Sequence, residues 1–176
     1  MEPGVGMPQV NREQRGPFRV LVLCTGNSAR SQMAEVLLNK MGAGRIVAES
    51  AGSQPAARVN PLAVATLAEH GLAWTGHPPR GIDGLEKEPW DFVITVCDKA
   101  REACPVFPGQ PMLAHWGMDD PAEVVGDEAA RRAAFRDAFV LLRRRIELML
   151  ALPMEKLERM ALEARVRAIG ATPAQD

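Results

Sequence analysis

Residues 20–35 read VLVLCTGNSARSQMAE: a cysteine at the end of an apolar run, five small or polar residues, then an arginine. These types at this spacing suit nucleophilic attack on a bound oxyanion. If the loop curls, the six backbone N–H groups after Cys24 turn inward as donors. A helix beginning just beyond adds partial positive charge at its N-terminus. Gly26 tolerates an awkward backbone angle. Arg30 offers a planar, permanently charged fork that matches two oxygens of a tetrahedral anion. The same field favours thiolate over thiol, so Cys24 is expected to have a depressed pKa. Ser31 can donate a further hydrogen bond to that sulfur. Thr25, Gly26, Asn27, Ser28, Ala29 and Arg30 are therefore the expected oxyanion-binding loop, with Cys24 beneath it. A cysteine six positions before an arginine also arises by chance. The strand before it, the helix after it and the small residues between carry the reading.

Two more cysteines need an account. Cys97 closes the apolar run DFVITV, and Cys104 follows it across DKAREA. Three cysteines in a reducing compartment do not make a disulfide framework. Catalysis, metal binding and burial as small hydrophobes remain open. No C-x-x-C pair is present to nucleate zinc, and a site built from Cys97, Cys104 and His115 lacks an evident fourth ligand. If the segment between Cys97 and Cys104 is a regular helix, seven positions span about 10.5 Å. A disulfide needs Cα atoms within about 7 Å. Joining the two requires the segment to unwind or loop, and its charged composition makes exposure cheap.

The elements that must hold these residues follow from patterning. FRVLVL (18–23) is short, continuous and apolar, as for a strand buried on both faces. RSQMAEVLLNKMG carries Met33, Val36, Leu37 and Met41 at helical spacing, with Gly42 as a stop. RIVAESA (45–51), DFVITV (91–96) and PMLAHW (111–116) read as further strands. NPLAVATLAEHG (60–71) reads as a helix with Asn60 as cap, Pro61 in the first turn and Gly71 at the end. Residues 76–84 are loop. Asp127 caps a helix to about residue 150 with Phe135, Phe139, Leu142 and Ile146 on one face. Pro153 breaks it, and 154–169 form a last amphipathic helix. The run Arg143–Arg145 reads as a solvated helix face, His70 as a helix-end residue, and His115 as strand-end packing.

Strands alternating with helices predict an α/β fold: a three-layer sandwich on a mainly parallel four-stranded sheet. Ligands of such sheets bind at the carboxyl ends of strands, where both Cys24 and Cys97 fall. The chain has 176 residues, with 47% hydrophobic and 24% charged residues and a net charge of -1. That suits one domain, expected over 17–152, with residues 1–16 a flexible tail and 153–176 a helical extension. The balance gives no bulk electrostatic case for nucleic acid or a membrane surface. No apolar run approaches the ~20 residues of a spanning helix, and no secretory signal is evident, so a cytoplasmic location is expected.

LVLCTGNSARSQMAE resembles the active-site loop of the low-molecular-weight protein tyrosine phosphatase fold, and within it the thioredoxin-coupled arsenate reductases. The similarity extends to VITVCDKAREACPVFPG (93–109) and HWGMDDPAE (115–123), in the expected order, and covers roughly residues 18–150. The resemblance implies that Cys24 attacks arsenate, Cys97 releases arsenite by forming a Cys24–Cys97 disulfide, and Cys104 then forms a Cys97–Cys104 disulfide. Thioredoxin would reduce that bond, with no cofactor and no catalytic metal. Cys24, Arg30, Ser31, Cys97, Cys104 and Asp120 are the implied catalytic set, Asp120 being the aspartate before Pro121 that sits over the loop. Phosphatases of the family typically carry tyrosines just after this motif. Here Ala122 and Glu123 follow, and the chain has no tyrosine, which favours a reductase. In some relatives Asn27, Glu35 and Ser50 would match residues around a potassium ion. A further carboxylate of that site is replaced here by Arg80, whose charge could substitute for the cation. The alternatives are a phosphate monoesterase in which Cys97 and Cys104 are idle, a reductase fed by a small thiol in which Cys104 is dispensable, and a non-enzymatic oxyanion or arsenite binder.

Overall fold

A computed structural model describes residues 16–173. Its strands are β1 (Phe18–Cys24), β2 (Ile46–Gly52), β3 (Phe92–Thr95) and β4 (Met112–His115). Its helices are α1 (Arg30–Gly42), α2 (Pro61–Glu69), α3 (Asp98–Glu102), α4 (Glu128–Leu150) and α5 (Arg159–Ile169). The sheet is wholly parallel, in the order β2-β1-β3-β4. The α/β expectation holds, and β1, the loop-bearing strand, lies inside the sheet. All four residues of β3 are buried, as are all but Arg19 of β1, so both faces are covered by other elements.

Parallel register fixes the geometry of the cysteines. Leu23 of β1 pairs with Thr95 of β3, and Cys24 pairs with Gly52 at the end of β2. Cys24 and Cys97 therefore leave neighbouring strands at the same edge of the sheet.

Helix ends follow local chemistry. The Asn60 side chain accepts from Leu62 N–H, and Pro61 occupies the first turn of α2, where no intrahelical donor is needed. Asp127 caps α4 by accepting from Ala130 N–H. Phe135, Phe139, Leu142 and Ile146 of α4 are all buried, each contributing roughly 1.5–3 kcal/mol of apolar transfer. Gly42 is the last residue of α1 rather than its stop; Ala43 takes the left-handed cap.

Two expectations need correction. The last helix begins at Arg159, not Met154. Lys156 and Leu157 N–H groups both donate to Pro153 O, so a turn, rather than a helix, buries Met154. Arg145 is not solvated: only 4% of it is exposed. The α4 stripe extends through Leu142, Arg145, Ile146 and Met149, and the sequence's arginine run hid this member of the buried face.

Helix α5 packs on β4 and α4 through Leu162, Val166 and Ile169. Trp116 Nε1 donates to Val166 O at 3.0 Å. The expected tail falls almost wholly in residues 1–15, outside the described residues. Among the described residues no helix is long and apolar enough to cross a membrane.

Candidate active site

The loop after β1 is shaped from behind. The carbonyls of Cys24, Thr25, Gly26 and Ser28 accept from the N–H groups of Ser53, Gln54, Ala56 and Asn60. A trans peptide directs its N–H opposite its carbonyl, so the following N–H groups turn toward the concave side. One of them, Asn27 N–H, donates to Cys24 Sγ at 3.1 Å. Asn27 has a positive φ of 50°, a conformation asparagine accepts more readily than most residues. Its side-chain amide donates to Ser31 Oγ at 2.8 Å and Ser50 Oγ at 2.9 Å. Ser31 Oγ in turn lies 2.8 Å from Cys24 Sγ. Gly52 closes the back of the loop, where a Cβ would collide with Thr25 O.

The Cys24 thiol departs from the sequence expectation. Burial pushes its pKa above the ordinary value, outweighing the opposing pull of the Ser31 hydroxyl, the Asn27 and Ser31 N–H groups and the Arg30 guanidinium. The loop residues supply the stabilising contacts that were expected. The desolvation of a cysteine only 3% exposed was not legible in their types.

Arg30 reaches across the cleft. Its Nη1 donates to Met118 O at 2.8 Å, and its Nη2 lies 3.6 Å from Asp120 Oδ2. Asp120 caps a short 3-10 turn, Pro121–Glu123, by accepting from Ala122 N–H, which fixes the carboxyl at the rim. Cys24, the loop, Arg30, Cys97, His115 and Asp120 all line one cleft of about 770 Å³. Cys97 caps α3 through its sulfur, which accepts from Ala100 N–H at 3.4 Å and lies 3.2 Å from Thr25 Oγ1. Cys104 does not line this cleft. It is half-buried in a separate hollow of about 330 Å³ with Arg101, Leu113 and Arg167. His115 borders both, its ring held between Thr95 Oγ1 at 2.7 Å and Asp98 Oδ1 at 2.9 Å. All three cysteines are free thiols.

A buried thiol that accepts a loop N–H, with an arginine and an aspartate lining the same cleft, is an arrangement suited to oxyanion chemistry. Residues 19–161 match the low molecular weight phosphotyrosine protein phosphatase family. The chain belongs to this family. An arsenate reductase of Halalkalibacterium halodurans is 38% identical over 117 residues, 66% of this chain and 84% of that protein. The solved arsenate reductase of Archaeoglobus fulgidus is 34% identical, covering 73% of this chain and 98% of its own, with a TM-score of 0.57. A thioredoxin-dependent arsenate reductase of Corynebacterium glutamicum is 25% identical, covering 78% of this chain and 67% of its own, with a TM-score of 0.53.

As a member of the low-molecular-weight phosphatase family, the chain handles the suggested potassium region with its own side chains. Arg80 Nε donates to Ser50 O at 3.0 Å, and Arg80 N–H donates to Asn27 Oδ1 at 3.1 Å. Glu35 Oε1 accepts from Ser50 and lies 3.0 Å from His77 Nε2. The Arg80 guanidinium on Ser50 O, the Arg80 backbone N–H on Asn27 Oδ1 and the His77 imidazole on Glu35 occupy the acceptors that an ion would need, so these residues do not fit a potassium site. Sequence reasoning missed Gln32, which is fully buried and donates to Asn27 O and His77 O, each at 3.1 Å. A glutamine on the buried side of α1, directly after the loop, was the available signal.

Proposed function

We propose that this protein reduces arsenate to arsenite in the cytoplasm through a three-thiol relay that gives up two electrons per turnover, and that thioredoxin restores them. The observation that carries the proposal is the second thiol. Cys97 borders the same cleft as Cys24, with its sulfur 3.2 Å from the side chain of Thr25, the residue next to the nucleophile. A phosphatase requires only Cys24, Arg30 and Asp120. The arsenate reductases among the relatives support the substrate, and the thioredoxin-dependent one supports the electron donor.

In this reading the loop N–H groups and Arg30 hold arsenate above Cys24. Ser31 and Asn27 N–H stabilise the sulfur as it loses its proton. The Cys24 thiolate attacks arsenic, Asp120 protonates the departing oxygen, and water leaves. The Cys97 thiolate then attacks Cys24 Sγ. The sulfur–arsenic bond breaks, its electron pair stays on arsenic, and arsenite departs from a Cys24–Cys97 disulfide. Cys104 attacks Cys97 Sγ and frees Cys24 as thiolate. A thioredoxin dithiol reduces the Cys97–Cys104 bond. Two thiols are oxidised for each arsenic reduced, so the electrons balance.

The test is arsenate-dependent NADPH oxidation in the presence of thioredoxin and its reductase. Wild type turns over, and Cys24→Ser, Cys97→Ser and Cys104→Ser do not. Turnover by Cys104→Ser overturns the relay in favour of a small-thiol donor. A wild type inert toward arsenate that cleaves aryl phosphates is a phosphatase.

A further inference from the structure

Arg145 lies outside both the loop and the thiols, yet it joins three parts of the chain. From α4, its Nη1 donates to Trp116 O at 2.9 Å and Gly117 O at 3.2 Å. Its Nη2 donates to Gly170 O at 3.2 Å and Thr172 O at 3.4 Å, just past α5. All four acceptors are carbonyls. Burying a guanidinium costs several kcal/mol, and an apolar residue of similar volume often serves stability as well or better. A buried cation that satisfies two otherwise separate backbone turns specifies their relative position.

What it positions is the segment that carries the acid. Trp116 N–H donates to Thr95 O and Met118 N–H to Val96 O, tying the start of the segment to the end of β3 and the residue after it. Gly117, Met118, Asp119 and Asp120 then line the cleft, and Met118 O receives Arg30. Gly170 lines the cleft as well, packed so closely on His115 O that a Cβ there would collide with it. Gly170 and Thr172 lie beyond residues 19–161, the part that matches the family.

We infer that Arg145, together with the end of α5, is a positioning device that sets Asp120 over Cys24, and that the C-terminal segment is a working wall of the cleft. The inference rests on the oxyanion reading of that cleft. Asp120 touches the departing oxygen; Arg145 acts only through the segment that bears it.

The test compares full-length wild type, Arg145→Lys, Asp120→Asn and the double variant. Lysine keeps the charge but cannot bridge four carbonyls. Arsenate turnover gives kcat and KM, and phosphate protection of Cys24 from iodoacetamide gives oxyanion binding. Arg145→Lys is expected to lower kcat at least tenfold while moving KM and phosphate protection less than threefold. In the Asp120→Asn background it is expected to cost less than a further twofold, since the acid it positions is gone. A kcat loss below threefold, or the same tenfold loss without Asp120, overturns the inference. If Arg145→Lys does not unfold cooperatively, Gly170→Ala, which forces the C-terminal wall away from His115, is judged by the same split. If wild type does not reduce arsenate, the same proteins are compared on 4-nitrophenyl phosphate; the arsenate reading then falls while the split still decides. A wild type inert toward both has no acid to position, and the inference falls with it.

Discussion

Ser31 Oγ stands 2.8 Å from Cys24 Sγ, and the Asn27 amide donates to that same oxygen at 2.8 Å. The amide donation leaves the serine proton free to point at sulfur. A hydrogen bond to a charged group is worth about 1.5–3 kcal/mol. Ser31→Ala should therefore slow alkylation of Cys24 at pH 7 by roughly tenfold or more. Mass-resolved iodoacetamide kinetics measure this, and an unchanged rate would mean that serine does not support the thiolate.

The pH dependence follows from burial. The Cys24 pKa is raised in the fold, so its alkylation should keep rising past the ordinary thiol value of about 8.5 instead of levelling near neutrality. The unfolded chain's thiol ionises first. The stability of the neutral buried thiol is therefore complete below that ordinary value and is lost as pH rises through the folded one. A plateau in the alkylation rate below pH 7 would contradict this.

Gly52 is packed against the back of the loop. Gly52→Ala should cost about 1–3 kcal/mol, because the added carbon meets Thr25 O, a backbone atom that cannot swing aside. Thermal unfolding should shift down by several degrees, and phosphate protection of Cys24 should weaken more than tenfold. Loss of stability alone, with protection intact, would show that the loop absorbs the carbon.

His115 ties the first turn of α3 to the sheet through Asp98. The proposed Cys97–Cys104 bond would close around this turn, which α3 holds over Asp98–Glu102. In a Cys24→Ser background, His115→Ala should speed this disulfide severalfold under a stoichiometric oxidant, followed by thiol counting. A slower rate would mean that the imidazole assists the exchange instead of restraining the helix.

Arg80 supplies a fixed positive charge at Ser50 O, while its backbone N–H holds Asn27 Oδ1. Replacing potassium with sodium at constant ionic strength should change turnover less than twofold. Arg80→Ala should lower turnover and make it sensitive to the choice of ion. A strong potassium requirement in wild type would refute this account.

The strands, the caps of α2 and α4, and the placing of Cys24 and Cys97 at one sheet edge were legible because periodicity and parallel topology act over short stretches. Asp120 was reachable only through the resemblance. Arg145 was not legible: its burial depends on α5 folding back on β4, a contact between distant segments, and the arginines before it imitate a wet surface. The start of α5 was misplaced because Met154 fits the helical stripe while a turn at Pro153 buries it. The Cys24 pKa was misjudged because residue types announce hydrogen-bond donors but not the solvent that packing removes.

Cys104 and Cys24 open onto different hollows, separated by the His115 wall. In the proposed relay the oxyanion meets Cys24 in one hollow, which Cys97 shares, while Cys104 faces the other. A ping-pong enzyme with one shared entrance shows each substrate competing with the other at high concentration. The proposed relay therefore predicts parallel double-reciprocal plots when arsenate is varied at several fixed thioredoxin concentrations; intersecting lines would contradict it.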